Sequence, residues 1–175
     1  MQLAKITTRG NLIYSTGLDA ARVGAVNTGI LLFSAASTPN NWMIRENDAD
    51  AGTSLKFTQR GIYLVTLQAT VPAAGEAAFG ISLDCGAARL LATANPINTT
   101  VDILAGQHVI APAATQLAVD LCYAVQISDT IAGDPAQGFL RFHGNDGAAG
   151  VIAAGDVISA VTRFTVTQLG DVAGA

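Results

Sequence analysis

From Leu117 to Ile127 the sequence alternates without a break. Leu117, Val119, Leu121, Tyr123, Val125 and Ile127 share one parity, and Ala118, Asp120, Cys122, Ala124 and Gln126 share the other. Alanine and leucine favour helices as residues. A strict period of two, however, puts one row on a dry face and the other on a wetter one only if the chain is extended. The same pattern runs from Ile62 to Val71, where Tyr63, Val65, Leu67, Ala69 and Val71 oppose Thr66, Gln68 and Thr70. Gly61 before that run and Pro72 after it supply the stops.

Two further segments carry the pattern. Phe79, Ile81, Leu83 and Cys85 alternate with Ala78, Gly80, Ser82 and Asp84, and Ile158, Ala160, Thr162, Phe164 and Val166 oppose Val157, Ser159, Val161, Arg163 and Thr165. Shorter strands are predicted at Gly29–Phe33, Ser54–Thr58, Val101–Leu104, Gln107–Ile110 and Gly138–Phe142. Turn-rich pieces separate them at Thr38–Asn41, Asp48–Thr53, Ala73–Glu76, Gly133–Gln137 and Gly144–Gly150. No segment shows a long, capped helical period. Many short strands punctuated by Gly, Pro and Asn predict an all-β fold, an antiparallel sandwich or jelly roll. At 175 residues the chain can bury one core. The expected organisation is a less regular N-terminal arm over 1–28 lying outside the sandwich, a jelly-roll domain over 29–170, and a loose tail over 171–175.

Charge and chemistry narrow the function by exclusion. Nine basic residues against thirteen acidic ones give a net charge of −4, which disfavours a nucleic-acid partner held by phosphate neutralisation. Only 13% of residues are charged, roughly half the usual share, and depletion of charge suits a surface that is partly covered by neighbours. The first ten residues carry Lys5 and Arg9 but no apolar run after them, so no secretory signal is predicted. The longest uncharged stretch, Val23–Ile44, is rich in Asn, Ser and Thr and too polar for a bilayer span. No membrane association is expected.

The two histidines, His108 and His143, do not form a closely spaced His-x-His pair, and a catalytic zinc centre usually needs three ligands. Cys85 and Cys122 are expected as free thiols, Cys85 on an apolar face and Cys122 on a mixed one. The stretch from Glu46 to Gly52 lacks the sixth-position Gly and twelfth-position Glu of a calcium loop and is expected to be a solvated turn. Ser54 and Ser159 have no nucleophile-elbow sequence around them, and Gly144–Gly147 has no Gly-Lys-Ser/Thr after it. No catalytic, cofactor-binding or metal-binding residues are therefore predicted, and the chain is not expected to be an enzyme. Trp42, beside Asn40 and Asn41, is either a plug under the sandwich or a surface contact residue.

Two stretches carry a resemblance. Phe57-Thr-Gln-Arg-Gly-Ile-Tyr-Leu-Val-Thr-Leu is similar to the Phe and Gly-x-Tyr that lead into the long central strand of C1q- and tumour-necrosis-factor-like trimeric jelly rolls, a group with relatives on phage particles. Ile152-Ala-Ala-Gly-Asp-Val-Ile-Ser, with Phe164 and Leu169-Gly170, resembles the Gly-Asp turn and aromatic closing strand of the same superfamily. The resemblance spans roughly 29–170. It implies a homotrimer with Tyr63, Phe79, Phe139 and Phe164 packed in the core or around the three-fold axis. The expected function is then structural, with no cofactor. The protein would be a virion component made in the host cytoplasm, a trimeric decoration or cement protein that sits on a phage capsid and bridges capsomers of the major capsid protein. The alternative is a receptor- or glycan-binding tip of a tail fibre or appendage, with Trp42 or Tyr123 stacking on sugar.

Overall fold

A computed structural model describes residues 13–23, 31–33, 42–48, 52–83, 103–145 and 162–171. Within them lie ten strands and one short helix. The strands are β1 (Ile13–Val23), β2 (Leu31–Phe33), β3 (Met43–Asp48), β4 (Gly52–Phe57), β5 (Gly61–Val71), β6 (Glu76–Leu83), β7 (Ile103–Ile110), β8 (Leu117–Ile127), β9 (Phe139–Asn145) and β10 (Arg163–Gly170), and the helix is α1 (Asp129–Gly133). They form two five-stranded sheets, β2-β1-β10-β5-β8 and β3-β4-β9-β6-β7, with every assigned pairing antiparallel. The chain crosses repeatedly between the layers, which is the jelly-roll habit of an all-β sandwich.

The alternating runs behave as their period requires. Tyr63, Val65, Leu67, Ala69 and Val71 of β5 are buried, and the residues between them are not. β5 pairs with β8 along its whole length, from Gly61↔Ile127 to Val71↔Leu117, so the dry rows of both strands point the same way. Gly61 begins this pairing where a side chain has no room: an added Cβ would lie 3.0 Å from the Gly170 carbonyl oxygen and 3.2 Å from the Tyr63 ring. In β10, Phe164 and Val166 join the same face.

Aromatic residues fill the space between the layers. Phe33 meets Phe164 edge-on at 4.7 Å and Phe142 at 5.6 Å, while Phe142 stacks on Phe164 at 4.5 Å. These contacts join β2 and β10 of one sheet to β9 of the other. A second group, Trp42, Phe57 and Tyr63, packs together with ring centroids 4.5 to 5.2 Å apart, and the Tyr63 hydroxyl donates to the Gln59 carbonyl at 2.8 Å. Such offset and edge contacts add to simple area burial.

Several expectations need correction. Residues 13–23 are not an arm outside the sandwich: β1 pairs with β10 from Ile13↔Thr167 to Gly17↔Arg163, and with β2 at Leu18↔Phe33 and Val23↔Leu31. Gly17, Asp19 and the Ala-Ala-Arg run interrupt the alternation there. The strand is instead specified by its partner on β10, a case of tertiary context overriding local pattern. Residues 1–12 and 24–28 lie outside the described residues. The two short strands expected at Val101–Leu104 and Gln107–Ile110 are one, β7, running through Ala105 and Gly106. The turn expected over Asp48–Thr53 is tighter, since Asp48 already pairs with Gly52 across the β3–β4 hairpin. The turn expected from Gly144 starts later, because Gly144 and Asn145 still pair with Phe79 and Ala78.

Candidate functional site

The row of residues that β5, β8 and β10 turn away from the core forms the outer face of the first sheet, and its register reads as rungs. Arg163 lies beside Gln68 and Gln68 beside Asp120. The next rung holds Thr165, Thr66 and Cys122, and the one after it Thr167, Leu64 and Ala124. Beyond a register shift at the end of β10, Gly170 lies beside Ile62 and Ile62 beside Gln126. The exposed side chains of Ile62 and Leu169 give that end an apolar character. β1 continues three of these rungs by placing Gly17, Ser15 and Ile13 beside Arg163, Thr165 and Thr167.

Charge is nearly absent from this surface. Among the described outward positions of β5, β8 and β10 it occurs at Arg163 and Asp120 alone, both exposed and both on the same rung. The Arg163 Nε donates to the Gln68 side-chain oxygen at 2.8 Å, which holds the guanidinium across the neighbouring strand. Among the described residues neither charge is ion-paired within the subunit. Thr, Ala, Leu and Cys fill the rungs between, a composition that can be covered without stranding ions.

The opposite face of the molecule differs. On the outer side of the second sheet, the Lys56 ammonium donates to the carbonyls of Ile131 and Ala132 at 3.0 and 3.3 Å, tying α1 to β4. The Phe139 ring lies 5.8 Å from that ammonium and 5.2 Å from the Arg141 guanidinium, and Arg141 donates to Ser54 Oγ at 2.9 Å. Gly138, at φ +77°, brings the chain back beneath Lys56 and Ile131. Further along the same face Ser82 hydrogen-bonds the His143 Nε2, and both side chains are buried. Burial, assisted by Arg141, pushes the His143 imidazole down to about 3, so the ring is neutral and sealed away.

At one end of the sandwich a cleft of about 420 Å³ is lined by Thr58, Arg60, Asp129, Ala132 and Asp171. Its cation is already engaged: Arg60 pairs with Asp129 at 2.9 Å and with Asp171 at 3.3 Å, and these carboxylates raise the arginine's already high pKa.

Tyr63, Phe79 and Phe164 are fully buried inside one subunit, which makes them core rather than axis residues. Phe139 is half-buried on the outer side of the second sheet under two cations. Trp42 is not a surface contact. It is 1% exposed and stacks on Tyr63, because β3 begins immediately after it and carries it under the sandwich despite its two polar neighbours. Tyr123 is 38% exposed on the edge strand β8. Cys122 is an exposed free cysteine on the outer face of the first sheet, whereas Cys85 and Ser159 lie outside the described residues. Among the described residues no three His, Cys, Asp or Glu side chains converge as metal ligands. The rung order of the outer face escaped the sequence reading. Strand parity marks Asp120 and Arg163 as outward, but only the pairing of β10 with β5 and of β5 with β8 puts them level.

Comparison with protein-family models finds no match, and comparison with curated proteins finds none either. Solved structures do match. The crystal structure of murine APRIL at pH 5.0 is similar over 91% of this chain and 100% of its own, at 10% sequence identity and a TM-score of 0.53. The fold is a tumour-necrosis-factor-like jelly roll. At that identity the likeness is one of fold alone.

Proposed function

We propose that this chain is a structural subunit that assembles as a homotrimer through the outer face of the first sheet and decorates a phage capsid, bridging its capsomers as a cement protein. The observation that carries the self-association is the broad, nearly uncharged outer face of β5, β8 and β10. Burying such a face gains roughly 25 cal/mol per Å² of apolar surface and strands few charges. The trimeric jelly-roll resemblance supports the reading, as does the likeness in fold to a tumour-necrosis-factor-like structure. Three copies would then grip a particle with avidity that one copy lacks.

Two measurements test this. Native mass spectrometry is expected to give three times the 17.8 kDa chain mass; a monomer at all concentrations removes the proposal. Purified protein added to undecorated phage heads is expected to co-sediment with them and raise the temperature at which they break open. Deleting residues 2–12, which spares β1, is expected to abolish that binding and leave the trimer intact. A second reading, a glycan-binding fibre tip, rests on the half-exposed ring of Tyr123. Binding to a glycan array that is lost in Tyr123→Ala would favour it over cementing.

A further inference from the structure

We propose that Arg163 of one copy pairs with Asp120 of the next, and that this ion pair sets the register in which the copies meet. The inference rests on the self-association proposed above and adds to it the contact that fixes its geometry.

Arg163 and Asp120 are the charges at the described outward positions of β5, β8 and β10, they have opposite sign, and they occupy one rung. With β5 between them and strands about 4.8 Å apart, their backbones are roughly 10 Å from each other, too far for a direct pair through Gln68. Among the described residues neither has an ion-pair partner in its own subunit. A partner that covered this surface with neutral groups would leave two uncompensated ions out of water, a costly arrangement. A second copy of this chain supplies the missing partner of each.

Symmetry makes the match specific. Rotation about an axis running along the strands carries each rung onto the same level of the neighbouring copy. In a closed ring the contact is heterologous, so the β8 edge of one copy lies on the outer face of the next, where β10 is the central strand. The Asp120 of the first then lies level with the Arg163 of the second, and the apolar end with Ile62 and Leu169 meets its own kind. A two-fold axis perpendicular to the sheet would reverse the order of the rungs. It would set the charged rung of one copy against the apolar end of the other.

The experiment is a charge-swap cycle on the full chain. Arg163→Glu, Asp120→Arg and the double variant are compared with the wild type by native mass spectrometry and sedimentation across a concentration series, with far-UV circular dichroism as the check on folding. Each single reversal is expected to weaken association by at least about ten-fold, because like charges then meet across the contact, and the double variant is expected to recover most of the loss. If a reversal does not fold, the neutral cycle of Arg163→Gln and Asp120→Asn supplies the same comparison, and additive losses there overturn the pairing. Wild-type association with unaffected single reversals overturns the ion pair and leaves self-association standing. Weak singles without recovery in the double also overturn it. A wild-type chain that stays monomeric overturns the underlying reading instead.

Discussion

His143 is the residue whose chemistry most depends on where the fold has put it. An imidazole ordinarily titrates near 6.5, but burial holds this one at about 3. Between those values the unfolded chain binds a proton that the folded chain refuses, so stability falls as pH drops from about 6.5 toward 3, by up to one proton's worth of slope. Urea unfolding at a series of pH values is expected to show that slope in the wild type and a flatter profile in His143→Gln. Gly138 makes a second test at this scale. Its φ of +77° and the 3.1 Å approach of Lys56 Nζ and Ile131 Cγ2 to an added Cβ predict that Gly138→Ala costs about 1–2 kcal/mol and loosens α1, measurable by thermal unfolding. Phe164 sits at the junction of the two layers, and Phe164→Ala is expected to cost about 3–5 kcal/mol.

At the scale of the element, legibility followed the asymmetry of each strand's two faces. β5 and β8 have one dry and one wet side, so their parity is written in the residues. β6 is buried on both sides at Ala77–Ser82; its small residues Ala78, Gly80 and Ser82 preserved an alternation of size rather than of polarity. β3 reads Met-Ile-Arg-Glu-Asn-Asp, too polar to announce a strand, and it is held by pairing with β4. α1 is five residues long, and the signal that could have found it is local: Ser128 caps the helix by accepting from the Ile131 N–H, with Asp129 in the first turn. β1 was the largest miss, because its pairing with β10 crosses almost the whole chain. Gly17→Pro, which removes a backbone donor and constrains the chain inside that pairing, is expected to lower the unfolding midpoint sharply. A surface proline at the tip of a hairpin would not.

For the whole molecule, the two layers divide their labour. One sheet turns a hydrogen-bonded, cation-bearing surface outward around Lys56, Phe139 and Arg141, and it carries α1. The other turns out threonines, alanines and two opposed charges. The buried positions of Tyr63, Phe79 and Phe164 were readable from parity, whereas Phe139 lies on the outer side of the second sheet, and the number of short strands gave an antiparallel sandwich or jelly roll. The candidate face was not legible in the sequence, because residues 120 and 163 come level only through two successive strand pairings. Native mass is the measurement on which the functional reading turns at this scale, with a trimer expected.

The level placement of Arg163 and Asp120 has a consequence for mixtures. A ring repeats each of its joints, so a reversal at one position is felt at every joint, whereas the same change alters a single chain's fold once. Chains carrying both reversals would close with each other and reject unreversed chains. Co-expressed with a different affinity tag on each chain, the two populations are expected to sort into pure assemblies, giving one scaffold two mutually blind forms.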